Sequence, residues 1–154
     1  MGVNLTWKTK LLKNRYDIFQ DDLHIGELKA GIWSKTSQGE INGKKYLFKT
    51  KGFVTNETQI IKQEDNSIAG TISFSKFKGK ARIIIANNEY VCEPGNLFDT
   101  KWSINKDGKT VIGYKAKSFS GEISSVLNED LVILTGLFII NLLSSDDNTD
   151  ASGM

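Results

Sequence analysis

The feature that most constrains the fold of this chain is a long apolar run near its C-terminus. Residues 131–143 read Leu-Val-Ile-Leu-Thr-Gly-Leu-Phe-Ile-Ile-Asn-Leu-Leu, and only Thr135 and Asn141 are polar. As a helix, the run spans about 20 Å at ~1.5 Å per residue, which is shorter than the ~30 Å hydrocarbon layer of a bilayer. It therefore predicts a buried core helix. Because the run is apolar around its whole circumference, the rest of the chain must enclose it on every side.

Composition is typical of a soluble globular protein. The 154 residues are 39% hydrophobic and 25% charged, which indicates one folded domain that buries about 70% of its unfolded surface. The single cysteine, Cys92, cannot form an intramolecular disulfide, as is usual in a reducing compartment. The N-terminus lacks the apolar segment of a signal peptide. The predicted location is therefore cytoplasmic, with peripheral membrane attachment as an alternative.

Residues 4–125 carry an all-β pattern. Short apolar and aromatic runs alternate with turns rich in Gly, Asn, Asp and Lys, and helical periodicity is almost absent. Asn42-Gly43 and Asp107-Gly108 are the strongest hairpin signals, because such pairs tolerate the positive φ angles of a tight turn. The only proline, Pro94, leaves the other candidate strands without a residue that interrupts a hydrogen-bonded ladder.

An internal repeat divides the β region into three similar units. Residues 16–26, 60–70 and 102–113 each place an isoleucine and a glycine a few residues after an acidic turn. The three glycines, Gly26, Gly70 and Gly113, lie at nearly equal intervals. Each unit reads as about four strands, so three units predict about twelve antiparallel strands. The alternative is that such short segments recur by chance.

A barrel of about twelve strands has room for an occupant, whereas about eight strands leave room only for side chains or one small ligand. We therefore predict an all-β fold with one central helix, in which a closed antiparallel barrel of about 12 strands encloses the helix at 131–143. The domain spans residues 1–143, and residues 144–154 form a polar tail predicted to be disordered. The repeated glycines either face the helix or mark β-bulges, and Gly136 indicates that a backbone segment passes close to the helix.

The repeat and the C-terminal helix together resemble the tubby-like superfamily, which includes the tubby C-terminal domain, the phospholipid scramblases and the plant LURP-one-related proteins. The resemblance runs from Trp7 to Leu143 and rests on the Ile-Gly strands after acidic turns and on the apolar run. It implies a twelve-stranded closed barrel threaded by its C-terminal helix and, for tubby, a cationic surface pocket that binds phosphoinositides. The chain lacks the Pro-rich N-terminal region and the Cys-rich stretch of the scramblases, which argues against lipid scrambling.

Clusters of basic residues are the candidates for lipid binding. Alternate residues of an unbroken strand share a face, so the segment from Lys76 to Arg82 would present one basic face. Each basic residue contributes about 1 kcal/mol near an anionic membrane, so several must lie on one side of the molecule. The alternative is ordinary solvated charge on the outside of a barrel. The candidate lipid-binding residues are Lys76, Lys78, Lys80, Arg82, Lys115 and Lys117.

No set of residues in the sequence indicates catalysis. His24 is the only histidine, so a histidine dyad or a histidine-rich metal site is excluded. Cys92 has no histidine near it in the sequence and is predicted to be a buried structural thiol. The acidic pairs of the chain lack the ligand spacing of a calcium loop. We therefore predict that the protein is not an enzyme and that it uses no metal and no cofactor.

The predicted function is that of a non-catalytic binding module at a membrane surface that carries anionic phospholipid or phosphoinositide. One alternative is a structural or protein-interaction barrel with an unidentified protein partner and no lipid role. Another is a small-ligand carrier, which an empty volume beside the helix would favour. A net charge of +2 is too small to indicate a nucleic-acid partner, and none is predicted. The sequence leaves the oligomeric state open.

Overall fold

Twelve β-strands are followed by a single helix. The computed structural model describes residues 2–9, 15–30, 36–51, 57–75, 80–95 and 100–152, and it describes their side chains except that of Lys51 and those beyond Leu142. The strands are β1 (Val3–Thr9), β2 (Arg15–Gln20), β3 (Leu23–Lys29), β4 (Thr36–Ile41), β5 (Lys44–Lys51), β6 (Glu57–Lys62), β7 (Ile68–Phe74), β8 (Ala81–Ile85), β9 (Asn88–Pro94), β10 (Lys101–Lys106), β11 (Lys109–Ala116) and β12 (Ser120–Ser125), and the helix is α1 (Asp130–Ser152).

The twelve strands form one closed antiparallel barrel. Each strand pairs with its neighbours along the chain, and the barrel closes where β1 pairs with β12, with Asn4 opposite Ser124. The barrel surrounds α1, in which every side chain from Val132 to Asn141 is buried. The predicted fold class, a closed barrel of about twelve strands around the apolar C-terminal helix, is confirmed. The physical reason is that the helix is apolar around its whole circumference, and only a closed wall covers such a helix on every side.

The helix touches well-separated parts of the barrel wall. Phe138 stacks on Phe48 of β5, with ring centroids 4.6 Å apart and planes 12° apart. Tyr114 of β11 donates a hydrogen bond of 2.7 Å from its hydroxyl to the carbonyl oxygen of Ile133. Side chains of β5 and β11 therefore contact the helix from different parts of the wall.

Both polar side chains of the apolar run have partners inside the barrel. The hydroxyl of Thr135 donates a hydrogen bond of 2.7 Å to the carbonyl oxygen of Leu131, one turn earlier in the helix. The amide of Asn141 donates a hydrogen bond of 3.3 Å to the hydroxyl oxygen of Tyr16 on β2. An unpaired buried polar group costs about 1–3 kcal/mol, so these contacts explain how the lumen accommodates both residues.

The close approach predicted at Gly136 is made by side chains of the wall and not by its backbone. A Cβ atom at Gly136 would collide with the hydroxyl oxygen of Tyr114 and would lie 2.8 Å from Cδ1 of Ile104. Glycine is therefore the residue that lets Tyr114 reach across to the helix and form its hydrogen bond.

The two ends of the barrel differ. At one end, which we call the turn end, α1 begins, and Asn42 in the β4–β5 turn donates a hydrogen bond of 2.9 Å to the carboxylate of Asp130. The hairpin turns that follow β2, β4, β6, β8 and β10 all lie at this end. At the opposite end, which we call the loop end, lies the contact between Tyr16 and Asn141. The connections that follow β1, β3, β5, β7, β9 and β11 lie at the loop end.

The threefold repeat appears in the barrel as three β-bulges. The pairing register shifts by one residue in the β2–β3, β6–β7 and β10–β11 hairpins, where Ile25, Ala69 and Val111 are the extra residues. Bulges bend a strand and increase its local twist, so three of them distribute curvature around the barrel. The first two units are β2–β5 and β6–β9, and the third consists of β10–β12 completed by β1.

Two of the repeated glycines, Gly26 and Gly70, directly follow the extra residue of a bulge, whereas Gly113 lies one position further along its strand. A Cβ atom at Gly26 would collide with the carbonyl oxygen of Glu40, and one at Gly70 would lie 2.5 Å from the carbonyl oxygen of Ile84. Both obstacles are backbone atoms of the neighbouring strand. Gly113 has no atom within 4 Å of such a Cβ. Of the two alternatives, the bulge is confirmed for Gly26 and Gly70, whose close neighbours belong to the adjacent strand and not to the helix, and neither alternative applies to Gly113.

Tight hairpins occur where the sequence predicts them and at one further place. The φ angles are 48° and 83° in Asn42-Gly43, and 52° and 79° in Asp107-Gly108, as a type I′ turn requires. The Ala86-Asn87 turn also has two positive φ angles, 51° and 65°, although alanine is a poor indicator of such a turn.

The helix is longer than the apolar run. It begins at Asp130 and ends at Ser152, and within the described part of the chain no helix is long and apolar enough to cross a membrane. The predicted disorder of residues 144–154 stays a prediction. Residues 31–35 and 52–55 of the predicted β region lie outside the described residues.

Candidate functional site

Charged side chains are unevenly distributed along the barrel axis. In the half of the barrel nearer the loop end, the described cations outnumber the acids by nine to five, and nearer the turn end the acids outnumber the cations by nine to five. The loop-end charges are Lys8, Arg15, Lys29, Lys49, Lys80, Arg82, Lys101, Lys115 and Lys117, with Asp17, Glu27, Glu57, Glu93 and Glu122. The turn-end charges are Lys44, Lys45, Lys62, Lys106 and Lys109, with Asp21, Asp22, Glu40, Glu64, Asp65, Glu89, Asp107, Glu129 and Asp130.

This distribution gives the molecule a cationic end and an anionic end. Beyond the described side chains, the loop-end connections contain lysines such as Lys76 and Lys78, and the part of α1 that continues past Asn141 at this end contains Asp146, Asp147 and Asp150. The small net charge of +2 therefore conceals a strong asymmetry. Because a partner responds to the local field and not to the total charge, the loop end is the surface that attracts anions.

Two of the predicted basic residues lie at the loop end of β8 and form exposed ion pairs. The ammonium of Lys80 lies 3.3 Å from a carboxylate oxygen of Glu93, and the guanidinium Nε of Arg82 lies 3.5 Å from a carboxylate oxygen of Glu89. Exposed pairs contribute at most about 1 kcal/mol, so both cations can exchange these partners for an anion in solution.

The structure places the other described candidates away from β8. Lys115 on β11 and Lys117 just after it are separated from β8 by β9 and β10. Lys115 stands directly opposite Lys101 of β10, a residue that the sequence analysis did not select. The ion pairs among the described residues include none of these three lysines. Like charges placed opposite each other are destabilising, and on its other side Lys115 stands opposite Glu122 of β12.

A regular hairpin around the Asp107-Gly108 turn would place a different residue opposite Lys101. If the pairing of β10 and β11 were uninterrupted from the Asp107-Gly108 turn, Lys101 would stand opposite Tyr114. The bulge at Val111 shifts the register by one residue and brings Lys115 opposite Lys101 instead. The repeat could have indicated the shift, because a bulge a few residues after the acidic turn recurs in all three units.

A groove of about 660 Å³ crosses the outer wall of strands β10, β11, β12 and β1. Its floor is a row of outward-facing residues, one from each strand: Ser103, Gly113, Ser124 and Asn4. Lys101, Lys115 and Glu122 line the side nearer the loop end, and Asp21 of the β2–β3 turn lies at the end of the row beyond Asn4. The lining surface is mostly apolar, and its charged groups are Lys101, Lys115 and Glu122 towards one end and Asp21 at the other.

The groove exists because the third unit carries small side chains where the other units carry larger ones. The same row reads Asp17, Glu27, Glu40 and Lys45 in the first unit. It reads Gln59, Thr71, Ile84 and Glu89 in the second. Gly113 has neither a positive φ nor a neighbour that excludes a side chain. A glycine in a strand is destabilising by about 0.5–1 kcal/mol relative to alanine. Gly113 therefore lowers the stability of the barrel, although neither its φ angle nor its packing requires glycine.

An ion-pair network covers the same surface in the first unit. Arg15 lies 3.2 Å from a carboxylate oxygen of Asp17 and 2.6 Å from one of Glu27, and His24 lies 2.9 Å from Asp17. Partial burial raises the pKa of Asp17, but the hydrogen bond from His24 and the charge of Arg15 outweigh it and lower that pKa overall.

The same residues include a group with metal-ligand geometry. One ligand atom each of Asp17, His24 and Glu27 lies within 4.8 Å of the others. The guanidinium of Arg15 pairs with both carboxylates, and the ammonium of Lys29 lies 3.8 Å from Glu27, so the two carboxylates already face two cations, which opposes a metal ion at this place. The cluster is therefore explained as an ion-pair network.

Cys92 of β9 is a buried thiol, as predicted. Its side chain is 1% exposed and lies in the core. Burial, together with the nearby charge of Glu93, raises the pKa of the thiol to about 12. Since the thiolate is the reactive form of cysteine, Cys92 is inert in the folded protein at neutral pH.

Comparisons of the chain with protein-family models, with curated proteins and with solved structures find no significant match. The resemblance to the tubby-like superfamily therefore stays a prediction. What the barrel can bind must be argued from its cationic loop end and from the groove of the third unit.

Proposed function

We propose that the protein is a non-catalytic binding module that docks the loop end of its barrel on an anionic phospholipid surface. The observation that carries the proposal is the reversal of charge along the barrel axis, with cations in excess at the loop end and acids in excess at the turn end. An anionic membrane attracts the first end and repels the second, so the molecule would bind in one orientation.

The magnitude of the attraction is sufficient for reversible binding. Basic residues near an anionic leaflet contribute about 1 kcal/mol each within a Debye length of roughly 8–10 Å. Lys49, Lys80 and Lys117 are exposed and lie at the loop end of three different strands or connections. Because these lysines are spread around the rim, several reach a flat surface at the same time.

The proposal agrees with what the sequence suggests about ligand class. The resemblance to the tubby-like superfamily implies phosphoinositide binding, and a doubly charged headgroup would strengthen the same electrostatic contact. The proposed module binds lipid without catalysing a reaction. Lys76 and Lys78, which lie outside the described residues, stay predicted contributors on the β7–β8 connection.

Co-sedimentation with vesicles tests the proposal. Vesicles of phosphatidylcholine with phosphatidylserine, with or without a phosphoinositide, are mixed with the native chain and with a loop-end variant in which Lys49, Lys80 and Lys117 are changed to Gln. We expect the native chain to bind anionic vesicles and to dissociate as salt rises. The loop-end variant should bind about 100-fold more weakly, since three contributions of about 1 kcal/mol are lost.

A matched variant separates orientation from total charge. The matched variant changes Lys44, Lys62 and Lys109 to Gln. These three lysines are exposed at the turn end, so its net charge equals that of the loop-end variant. This variant should bind nearly as well as the native chain. Equal weakening by both variants, or negligible binding of the native chain to every vesicle, would refute docking through the loop end. A protein-interaction role would then be the better explanation.

A further inference from the structure

The groove of the third unit has a charge pattern that suits a zwitterion. Lys101 and Lys115 lie towards one end, Asp21 lies at the other, and Glu122 stands beside Lys115 on the neighbouring strand. The lining therefore has no net charge, and a simple anion would meet acids as well as lysines. We infer that the groove binds a short extended peptide with free termini, its carboxylate between Lys101 and Lys115 and its ammonium at Asp21.

The separation of the charges sets the length of the ligand. From Lys115 on β11 to the β2–β3 turn is a distance of three strand spacings, or roughly 15 Å at about 4.8 Å each. An extended chain covers at most about 3.3–3.6 Å per residue, so a peptide of about four residues spans it. A single amino acid, or the phosphate and ammonium of one lipid headgroup, is too short to reach both ends.

The floor of the groove suits a peptide backbone. The hydroxyls of Ser103 and Ser124 and the amide of Asn4 offer donors and acceptors along the row, and a peptide presents N–H and C=O groups that need both. Gly113 in the middle allows a ligand backbone to approach the sheet closely. The volume of about 660 Å³ lies within the usual range for a ligand site, about 300–1,000 Å³.

The contrast with the other two units supports a role for the open floor. The equivalent rows are filled by Glu27 and Glu40 in one unit and by Thr71 and Ile84 in the other. Gly113 is not required there by packing or by φ. A binding site explains why this unit leaves its outer surface open. The inference is independent of membrane docking, which uses the loop end and needs no groove.

NMR titration of the full chain without lipid tests the inference. The probe is tetra-alanine with free termini, compared with the same peptide acetylated at its N-terminus or amidated at its C-terminus. We expect the free peptide to shift the amide signals of Ser103, Gly113 and Ser124 in a saturable way. Each blocked peptide should bind at least about tenfold more weakly, because it lacks one of the two charges that the groove matches.

Paired variants show whether the groove itself is the site. Gly113→Gln places a side chain on the floor and should abolish the titration, whereas Thr71→Gln, at the same position of the second unit, should leave it unchanged. Asp21→Asn should remove the difference between free and acetylated peptide, and Asp22→Asn should not. The dispersion of the amide spectrum shows that each variant is folded. The inference fails if the free peptide and each singly blocked peptide bind equally, if Gly113→Gln binds like the native chain, or if millimolar peptide shifts none of the floor signals.

Discussion

At the scale of single residues, ionisable groups that stay neutral are part of the core. Cys92 is buried, and burial raises the pKa of its thiol to about 12 from an ordinary value of 9.0. Tyr114 is buried beside the helix, and burial raises the pKa of its hydroxyl well above 10.0. In the unfolded chain both groups ionise at their ordinary values. The folded state binds these protons more tightly than the unfolded state does.

This difference predicts a loss of stability in alkali. The stabilising contribution of a raised pKa is fully present below the unfolded value and is lost as pH rises towards the folded value. For Cys92 the window runs from about pH 9 to about pH 12. We expect the free energy of unfolding in urea to be constant between pH 7 and pH 8.5 and to fall at pH 10.

The contribution of the thiol can be separated from that of the tyrosines. The variant Cys92→Ala leaves every tyrosine in place and removes only the buried thiol. It should be less stable than the native chain at pH 7, because a small cavity forms, but it should lose less stability between pH 8.5 and pH 10. An equal loss in the two proteins would show that Cys92 does not contribute to the alkaline transition.

At the scale of elements, hairpin turns and bulges set the register of the wall. Asn42-Gly43 and Asp107-Gly108 use residues that tolerate left-handed φ, but Ala86 in the β8–β9 turn adopts a φ of 51° with a Cβ atom present. Such a conformation costs about 1–2 kcal/mol for an ordinary L-residue. The β8–β9 hairpin is therefore formed in spite of its turn sequence, because the barrel on both sides holds these strands together.

Replacing this turn by a favourable one should stabilise the barrel. The double change Ala86→Asn and Asn87→Gly gives the β8–β9 hairpin the sequence that type I′ turns prefer. We expect the free energy of unfolding to rise by about 1 kcal/mol, measured by urea denaturation. The reverse change in the β10–β11 turn, Asp107→Ala with Gly108→Asn, should lower it by a similar amount. An unchanged or lower stability of the first variant would contradict the strain assigned to Ala86.

At the scale of the whole molecule, the barrel is closed by strands from opposite ends of the β region. β1 pairs with β12 on one side and with β2 on the other, and it supplies the fourth strand of the third unit. Without β1, both β2 and β12 would present unpaired edges, which are templates for aggregation. The β1–β12 contact also joins residues more than a hundred positions apart, a type of contact that slows folding.

Removing β1 should therefore cause the chain to aggregate, although β1 is a short strand. A chain without residues 1–9 should aggregate or associate through its open edges, as seen by size-exclusion chromatography and circular dichroism. A synthetic peptide of residues 1–9, added during refolding, should restore part of the species that has the size of the native protein. A chain that ends at Leu143 is the control and should keep the oligomeric state of the native chain, since the described buried part of the helix is intact. A folded chain without β1 that keeps the native oligomeric state would show that the barrel does not need closure.

The sequence alone was sufficient to predict the architecture and the inert thiol. The apolar run at 131–143 requires a wall on every side, and the repeated turns provide about twelve strands for that wall. These are properties of periodicity and burial, which local sequence determines directly. The groove of the third unit could be predicted only in part, because the sequence indicated Lys115 as a candidate binding residue but did not indicate Lys101.

Only the tertiary structure decided which charges and which small residues lie together. Lys101 meets Lys115 because a bulge at Val111 shifts one hairpin by a residue, and a shift of one residue changes every pair beyond it. The open floor at Gly113 depends on side chains of four strands, one of which, β1, comes from the other end of the chain. The charge asymmetry depends on the alternating direction of the strands. Such long-range relations arise when the barrel closes, and no local pattern of residues contains them.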